Sequence, residues 1–430
     1  MKSFIYVDNK KVEFDIPPRW NVLYGKDINI PSPSEGIREK IKFAFEHPLG
    51  SPKIEDLAKE ASSAIILFDD LTRPTPAYIV FSEILNRLNQ GGISDDRITA
   101  ICAVGTHPPP TSEELKKKIG QESFDRLFPR IYCHDALSKE NVFIGRTSRG
   151  TPVEINPFVA QADLIIGIGV CNPHNWAGFG GGGKIIMPGI CSFQSIASHH
   201  LAWLRNPNTH GGITQGNLFY EEINEIAQMV GLRFKVDFVL NFKGEIIQIL
   251  CGHYKKVHEE GIRECFKLAG IHITRKADIT ISAAYPLERG NQSIKSLTTA
   301  AYVTKTKGQI IWVAPQPDRQ QLMPFVEEVA SKKSTNEYHQ QLLRGEYPEK
   351  LKTIGLSFMC TVVEVKSIID RFSKILHVTQ GLKQSEVESM GMEYAHSIED
   401  AISRVAKILP EADVIIFPFG GAILPVIKRE

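Results

Sequence analysis

The chain has 430 residues, of which 42% are hydrophobic and 23% are charged, as in an ordinary globular protein of about two domains. Its 50 basic and 49 acidic residues leave a net charge of +1. No dense cluster of lysine and arginine stands beside aromatic residues, so the sequence argues against a nucleic-acid partner.

The apolar runs and the cysteines indicate the compartment. The longest wholly apolar runs, such as residues 164–170, are far too short to span a membrane, and the charged N-terminal residues do not resemble a signal peptide. The 7 cysteines form no C-x-x-C pair and are typical of reduced, mostly buried thiols. We therefore expect a cytoplasmic protein that does not bind membranes.

Short apolar runs alternate with longer amphipathic segments along the chain. Strands are predicted at residues 63–69, 98–104, 163–170, 278–283, 309–314 and 413–417. Because these runs are apolar throughout, we expect an α/β fold with largely parallel sheets that helices cover on both faces. Two apolar runs within residues 236–251 flank the turn FKGE and predict an antiparallel hairpin, which a helix over residues 254–269 follows.

A polar break after that helix predicts a domain boundary near residue 272. We therefore expect two α/β domains, an N-terminal one of residues 1–271 and a C-terminal one of residues 272–410. The last strand and the residues after it, 411–430, could complete the N-terminal domain. The active site is expected in the cleft between the two domains.

The first predicted strand ends in the polar loop DDLTRPTP, residues 69–76. Its prolines keep the residues before them out of helical conformation, and Thr75 is placed to cap a helix that begins at Pro76. A helix start beside an arginine and two hydroxyl groups suits an anion. The alternative is a plain surface salt bridge between Asp70 and Arg73.

The next two strands each end in a loop that carries a histidine. His107 lies in the proline-rich loop GTHPPP, before a helix that Thr111 and Glu114 are spaced to cap. His174 follows the third strand. Because ligands bind beyond the carboxyl ends of parallel strands, both imidazoles and Arg73 could line one pocket and exchange protons there. A lone loop histidine is otherwise solvated surface.

The stretch HNWAGFGGGGKIIMPGI, residues 174–190, places a run of glycines before Lys184. Its spacing fits both a phosphate loop and a dinucleotide-binding turn. A phosphate loop needs a hydroxyl after the lysine and a helix that opens there, whereas Ile185 and the following Pro188 supply neither. We favour a bare backbone that something flat can approach closely, with one amine at its end. A flexible loop with a solvated lysine is the plainer alternative.

The helix predicted over residues 191–204 has one apolar face. His200 falls in the middle of that face, while His199 lies well off it. An ordinary core histidine is one interpretation and a metal ligand is the other. No second protein ligand shows metal-binding spacing, so a metal here would take most of its ligands from a cofactor.

Five motifs together resemble the nickel-pincer lactate racemase (LarA) family over most of the chain. They are DDLTRPTP, VGTHPPPTSEE, HNWAGFGGGGKIIMPGI, ASHH and YPLERGNQSIK. The family carries a nicotinate-derived mononucleotide in which two sulfur arms and a ring carbon hold nickel in a square plane. The resemblance implies this nickel pincer nucleotide here, joined covalently to Lys184, with His200 completing the nickel coordination.

The resemblance also implies the reaction, which is racemisation or epimerisation of a 2-hydroxy acid by proton-coupled hydride transfer through a 2-keto acid. His107 and His174 match the two catalytic histidines. The residues implied or proposed for substrate binding are Asp70, Arg73, Gln292 and Lys295. Those implied or proposed for cofactor binding, besides the attachment lysine, are Asp70, Thr72, Gly181 and Gly182, of which Thr72 rests on the helix-start argument above.

Some features stay open at this point. Family members depend on separate cofactor maturation enzymes, so these are the expected protein partners. Gly183 stands where the lactate enzymes of the family carry arginine, and Pro108 replaces another arginine. The substrate is therefore open among lactate, malate, aromatic hydroxy acids and sugar acids. The alternative function is a nucleotide- or phosphate-binding transferase that uses the Gly178–Lys184 loop.

Overall fold

The structure of the protein is a computed structural model that describes residues 1–27, 31–34, 36–349 and 355–427. The chain divides into two units. One unit is Ile30–Leu268, and the other combines Met1–Asn29 with Ala269–Glu430.

The described strands, numbered in chain order, are β1 (Lys2–Val7), β2 (Lys10–Asp15), β3 (Trp20–Tyr24), β4 (Ala64–Phe68), β5 (Ile98–Cys102), β6 (Ile131–Cys133), β7 (Val142–Arg146), β8 (Pro152–Ile155), β9 (Leu164–Cys171), β10 (Pro173–His174), β11 (Gly178–Phe179), β12 (Leu232–Leu240), β13 (Ile246–Gly252), β14 (Gly270–Ile273), β15 (Ala277–Ala283), β16 (Thr304–Val313), β17 (Lys374–Val378), β18 (Glu393–Ala395), β19 (Ala412–Phe417) and β20 (Leu424–Ile427).

The described α-helices are α1 (Ile37–Glu46), α2 (Ile54–Ala58), α3 (Phe81–Gln90), α4 (Ser112–Ile119), α5 (Gln121–Leu127), α6 (Pro157–Ala160), α7 (Phe193–Trp203), α8 (Leu218–Val230), α9 (Tyr254–Ala269), α10 (Ile294–Val303), α11 (Arg319–Val329), α12 (Thr335–Leu343), α13 (Leu356–Arg371), α14 (Gln384–Ser389) and α15 (Ile398–Ile408). Within the described ranges, no helix combines the length and apolarity needed to cross a bilayer.

The unit Ile30–Leu268 is organised around a six-stranded sheet of order β13-β12-β9-β4-β5-β6. Neighbouring strands are parallel except β12 and β13, which form the predicted antiparallel hairpin. Strands β4 and β9 are buried along their whole length, as their continuous apolar sequence predicts. A core that includes Phe68, Phe81 and Phe238 packs on this sheet. Burial of each such ring contributes about 1.5–3 kcal/mol, which holds the sheet in register.

The register of this sheet brings the site loops together. Phe68, the last residue of β4, lies opposite Cys102 in β5 and Ile168 in β9. Because the three strands are parallel, their carboxyl ends lie at one edge of the sheet. The loops that begin after Phe68, Cys102 and Cys171 therefore leave the sheet from the same edge.

The second unit has its own six-stranded sheet, of order β18-β17-β16-β15-β19-β3, in which every neighbouring pair is parallel. The N-terminal residues of the chain join this sheet through β3, which pairs with β19 near the C-terminus. The indole nitrogen of Trp20 donates to the carbonyl of Leu409 at 2.8 Å and ties the two ends of the chain further.

These units differ from the predicted domains 1–271 and 272–410 at the chain ends. The break after Leu268 lies near the predicted boundary. The N-terminal residues, however, belong with the C-terminal unit through β3, and residues 411–430 do not complete the N-terminal domain because β19 pairs with β15. Pairing between strands at opposite ends of a chain leaves no local sequence pattern, which is why it was not predicted.

Candidate active site

Asp70 and His107 form a hydrogen-bonded pair beyond β4 and β5. Asp70 Oδ2 lies 2.8 Å from His107 Nδ1. An ionised carboxylate only accepts hydrogen bonds, so Nδ1 carries the proton and the lone pair of the neutral ring is on Nε2. The other carboxylate oxygen accepts from the backbone amide of Thr72 at 2.8 Å and from its hydroxyl. The side chain of Asp70 is 7% exposed and that of His107 is 27% exposed, so the open side of the pair is the imidazole.

The electrostatics of Asp70 suit a carboxylate that orients a base. Burial by itself would raise the pKa of Asp70, but the hydrogen bonds from His107 and Thr72 outweigh burial and lower the pKa to about 2. Asp70 is therefore ionised at neutral pH. An ionised carboxylate on Nδ1 holds the tautomer and stabilises the imidazolium that forms when Nε2 takes a proton.

A buried lysine supports the loop that carries Asp70. Lys118, from α4, is only 4% exposed and pairs with Asp69 Oδ1 at 2.7 Å. Its amine also donates to the carbonyl oxygens of Asp70 at 2.8 Å and Arg73 at 3.0 Å. This lysine satisfies two backbone carbonyls and forms an ion pair with a carboxylate, so it holds the loop in one conformation. The predicted capping box of α4, Thr111 with Glu114, is confirmed.

The predicted helix start at Pro76 is wrong. Residues Ala77–Ile79 form a 3-10 turn, and α3 begins only at Phe81. The hydroxyl of Thr75 donates to Asp69 instead of capping a helix. The helix-start argument for a phosphate at Thr72 fails with it, because the carboxylate beside Thr72 takes both its amide and its hydroxyl. Side-chain hydrogen bonds within the loop have replaced a helix terminus.

Arg73 is half-buried in the same loop. Its backbone amide donates to the Asp70 carbonyl at 3.2 Å. Across the described residues no salt bridge joins the Arg73 guanidinium to Asp70, whose carboxylate pairs with His107 instead. The surface salt bridge considered as an alternative is therefore not formed.

The glycine loop, residues 178–184, has a fixed conformation. The carbonyl of Gly180 accepts from Nε2 of the buried His258 at 2.9 Å. The amide of Gly182 donates to Asp237 Oδ2 at 2.8 Å. Both partners are buried, so these bonds are shielded from water. The alternative of a flexible loop is wrong for this segment.

The glycines are required by the protein's own side chains. A Cβ at Gly181 would lie 2.8 Å from Asp237 Oδ2, and one at Gly182 would lie 2.6 Å from the His258 ring. Both residues also have positive φ, 84° and 53°. The space beside these Cα atoms is thus filled by protein and not left open for a flat ligand. Gly181 and Gly182 remain predicted to contact the cofactor, and such a contact would be made by their peptide groups.

A fully buried ion pair lies under the loop. Lys235 and Asp237 project from β12 with side chains that are both 0% exposed, and they are bonded to each other. Gly169 of β9 makes room for them, since a Cβ there would lie 2.8 Å from Lys235 Nζ and 3.7 Å from Asp69 Oδ2. The Lys235–Asp237 pair under the glycine loop therefore lies close to Asp69, which is under the Asp70 loop.

Lys184 is half-buried and lies in the 3-10 turn Gly182–Ile185. The next α-helix, α7, begins only at Phe193, so the helix that a phosphate loop needs at its lysine is absent here, which argues against the alternative transferase function. Burial is the main reason for the lowered pKa values of His199 and His200, and the nearby charge of Lys184 lowers them further. The amine thus lies in the neighbourhood of both imidazoles.

His199 and His200 are both inside the protein, at 0% and 5% exposure. The inward position of His200 is confirmed, and His199, which the helical wheel placed well off the apolar face, is buried as well. The reason is α8, which packs against α7 and places the carbonyl of Phe219 3.0 Å from His199 Nε2. A helical wheel allows for one packing partner, and here there is a second.

His174 lies in the short β10–β11 hairpin and is half-buried. Its Nδ1 accepts the backbone amides of Trp176 and Ala177, each at 3.2 Å. The ring of Trp176 is 5.9 Å from the ring of His174 and 6.1 Å from that of His200, edge-on to both. One tryptophan thus contacts two of the predicted site histidines, and this places them in one region.

The predicted substrate residues Gln292 and Lys295 lie in the second unit. Gln292 lies in the 3-10 turn Gly290–Ser293 and so precedes α10, in which Lys295 lies. Both side chains are half-buried. Buried hydrogen bonds hold this helix start, including one from Gln316 Nε2 to Ser293 Oγ at 2.8 Å.

Comparison with known proteins gives the family. Models of the lactate racemase N-terminal domain and C-terminal domain match residues 7–212 and 273–424. The lactate racemase of Thermoanaerobacterium thermosaccharolyticum is 30% identical over 317 residues, which is 72% of this chain and 73% of that protein. The chain belongs to the lactate racemase family. It is therefore an isomerase of the racemase type.

Other members and structures agree with the lactate racemase family. The lactate racemase of Lactiplantibacillus plantarum is 28% identical over 393 residues, 90% of each chain. The structure of the lactate racemase apoprotein from T. thermosaccharolyticum has a TM-score of 0.85 at 25% identity and covers 100% of both chains. A protein from Thermotoga maritima has a TM-score of 0.60 at 19% identity over 89% of this chain, which shows the fold alone.

Several supporting residues of this lactate racemase family member were not found from sequence. They are Asp69, Lys118, His199, Lys235, Asp237 and His258. One pair did leave a signal, because Lys235 and Asp237 interrupt the apolar run RFKVDFVL two residues apart, on the same face of a strand. Charged residues on a buried strand face are rare unless they are paired, so this pattern predicts a buried ion pair.

Proposed function

We propose that the protein inverts the α-carbon of a 2-hydroxy acid, as a racemase or epimerase, and uses a nickel pincer nucleotide attached at Lys184. The observation that carries the proposal is the grouping of Lys184, His200 and His174. The lysine charge acts on the His200 ring, and one tryptophan contacts both histidine rings. The named relatives are lactate racemases, which supports the substrate class.

The residues fit the proposed cofactor. Within the described ranges, no three His, Cys, Asp or Glu side chains are grouped as a metal site. The neutral, buried imidazole of His200 offers one nitrogen donor, which matches a metal whose carbon and sulfur donors come with the cofactor. Lys184 provides an amine in the same region for covalent attachment. His200 would hold the nickel, and Lys184 would hold the nucleotide.

When bound, the nickel cofactor would supply a hydride acceptor for the α-carbon. The protein's own residues manage the proton and the carboxylate. His107 Nε2 takes the hydroxyl proton of one enantiomer, and Asp70 stabilises the resulting imidazolium. Arg73 is proposed to hold the carboxylate, so that the planar 2-keto acid stays bound until its oxygen is protonated again, and Lys295 stays a predicted substrate residue.

His174 is the proposed base for the other enantiomer, and its ring starts from a different state. Because Nδ1 accepts two backbone amides, neutral His174 carries its proton on Nε2. That N–H can donate a hydrogen bond to the substrate oxygen. For Nε2 to take a proton, the ring must first carry its hydrogen on Nδ1 and release the amides of Trp176 and Ala177. The two reaction directions therefore begin with histidines in different tautomers, His107 with its hydrogen on Nδ1 and His174 with its hydrogen on Nε2.

Intact mass spectrometry tests the cofactor assignment. The parent chain is co-expressed with the cofactor maturation enzymes and compared with Lys184→Arg and with Lys243→Arg, a matched change at an exposed loop lysine. The parent and the control are expected to carry the nucleotide adduct and nickel, and Lys184→Arg is expected to carry neither. An adduct that survives in Lys184→Arg would overturn the attachment site.

Isotope exchange tests the reaction class. The loaded protein is incubated with single enantiomers of α-deuterated lactate, malate, aromatic hydroxy acids and sugar acids. We expect inversion of at least one of them with transfer of the α-deuterium, because the hydride is taken and returned within the site. Loss of the label to water during inversion would favour removal of an α-proton and would contradict hydride transfer.

A further inference from the structure

Two consecutive histidines of α7 are joined by a hydrogen bond between their rings. The Nδ1 atoms of His199 and His200 lie 3.1 Å apart. On its other side, His199 Nε2 lies 3.0 Å from the backbone carbonyl oxygen of Phe219 in α8. His199 is 0% exposed and His200 is 5% exposed, so protein atoms and not bulk water provide these partners.

The direction of each hydrogen bond follows from the carbonyl. A carbonyl oxygen can only accept, so His199 Nε2 carries a hydrogen and donates to Phe219. A neutral imidazole has one N–H, which leaves the lone pair of His199 on Nδ1. The bond between the rings then requires His200 Nδ1 to be the donor, and the backbone carbonyl of Ile196, one helical turn earlier, is a second acceptor beside the His200 ring. The lone pair of a neutral His200 is consequently on Nε2.

Packing keeps both rings in this arrangement. The ring of Phe219 lies edge-on to both, with centroids 4.5 Å from His199 and 4.7 Å from His200. The buried carboxyl group of Glu222 lies 4.0 Å from His199 Nε2. The same carboxylate accepts from the indole N–H of Trp203, so its position is fixed as well.

We propose that His199 is a positioning residue that holds His200 in the Nδ1–H tautomer, so that Nε2 is the atom that binds metal. The proposal rests on the proposed function, which makes His200 the nickel ligand. Metal-bound histidines commonly donate their other ring N–H to a carboxylate or carbonyl oxygen, and loss of that partner weakens metal binding. Here the imidazole of His199 accepts the hydrogen bond, and its own tautomer is fixed because its other nitrogen donates to the Phe219 carbonyl.

The tautomer itself can be measured without cofactor. In the full-length protein expressed alone and labelled with ¹⁵N-histidine, long-range ¹H–¹⁵N spectra distinguish Nδ1–H from Nε2–H rings, and His200→Gln assigns the His200 signals by their loss. We expect Nδ1–H for His200 and Nε2–H for His199. An Nε2–H ring at His200 in the parent protein would overturn the proposal whatever the variants do.

Two substitutions at His199 separate positioning from packing. His199→Phe keeps a ring of similar size but has no acceptor, whereas the amide of His199→Gln can both donate and accept. In the loaded protein, we expect His199→Phe to lose nickel to a chelator about 10- to 100-fold faster than the parent, with the Lys184 adduct still seen by mass. His199→Gln should recover much of the difference.

The outcomes distinguish this proposal from the proposed function. An adduct and nickel missing from the parent chain would contradict the proposed function, while the His200 tautomer in the cofactor-free protein would still decide the positioning role. Equal nickel loss in the parent and in a folded His199→Phe would overturn the positioning role while leaving the proposed function intact. Circular dichroism of each variant establishes that it is folded.

Discussion

Asp70 accepts a hydrogen bond from His107 Nδ1 across 2.8 Å, and this bond decides which nitrogen of the histidine faces outward. The carboxylate is 7% exposed and ionised, while the ring is the more open member of the pair. A buried, ionised acid behind a half-buried imidazole holds the hydrogen on Nδ1 and leaves the lone pair on the far nitrogen, Nε2. Substitutions of Asp70 and of His107 can therefore test the orienting role and the proposed base separately.

Asp70→Asn should lower kcat by about 100-fold or more, because the amide can offer its N–H to Nδ1 and stabilise the wrong tautomer. The Lys184 adduct should remain. Initial rates with each enantiomer, together with intact mass, measure both effects. Glu122→Gln, a change at an exposed acid outside the site, is the matched control. A parental kcat in Asp70→Asn would contradict the orienting role.

Acid should remove the stability that Asp70 contributes. The pKa is lowered from 3.8 to about 2 in the folded protein, so the ionised carboxylate stabilises the fold above about pH 4. This contribution is lost as the pH falls through about 2. Urea unfolding of the parent and of Asp70→Asn should therefore differ most near neutral pH and converge in acid. A difference that grows on acidification would show that the sign is wrong.

His107→Ala and His174→Ala should both keep the adduct and both lose racemisation, by about 100-fold or more. For a racemase the two enantiomers must have equal kcat/KM because the equilibrium constant is one. The different starting tautomers of the two histidines should therefore appear in kcat and KM taken separately. His47→Ala, at an exposed histidine, is the control. Racemisation at the parental rate in either site variant would refute the two-base mechanism.

Breaking the buried ion pair under the glycine loop should be costly. Asp237→Asn leaves the charge of Lys235 buried without its partner and should lower the free energy of unfolding by about 3–5 kcal/mol. Asp56→Asn, which breaks the exposed pair with Lys59, should cost far less, because water screens exposed charges. Denaturant unfolding curves of the two variants give the comparison. Equal costs would mean that the pair under the loop is not effectively buried.

Gly182→Ala should disturb the glycine loop through two effects. The residue has a φ of 53°, and a Cβ there would lie 2.6 Å from the His258 ring. Gly150→Ala isolates the backbone effect, because Gly150 also has positive φ but no atom within 4 Å of the added Cβ. We expect roughly 1 kcal/mol of destabilisation for Gly150→Ala and a larger loss for Gly182→Ala, measured by thermal unfolding. A larger loss at Gly150 would contradict the steric argument.

Local pattern was enough to predict most elements and to select the candidate site residues. The six predicted strands, the hairpin of β12 and β13, and the helix Tyr254–Ala269 are present, because each depends on the periodicity of its own residues. The capping box at Thr111 is present for the same reason. The motifs that carry His107, His174 and Lys184 were recognisable because chemistry requires specific residues at short spacing.

Contacts between distant segments were outside the reach of such patterns. The pairing of β3 with β19 joins opposite ends of the chain, and no local feature of either strand selects the other. The predicted cap at Thr75 failed because the carboxylate of Asp69, directly after the strand, competed for its hydroxyl. The burial of His199 depended on α8, which a helical wheel of α7 does not include.

The amino-acid sequence by itself therefore determined most elements and the α/β class, and it predicted the candidate catalytic side chains, since those depend on residue type and short-range spacing. Tertiary structure alone decided the partners of those side chains: Asp70 for His107, the backbone amides for His174, and His199 for His200. Protonation state and tautomer are set by whichever donors and acceptors folding brings within about 3 Å. For this reason the roles of the histidines became distinct only in the folded protein.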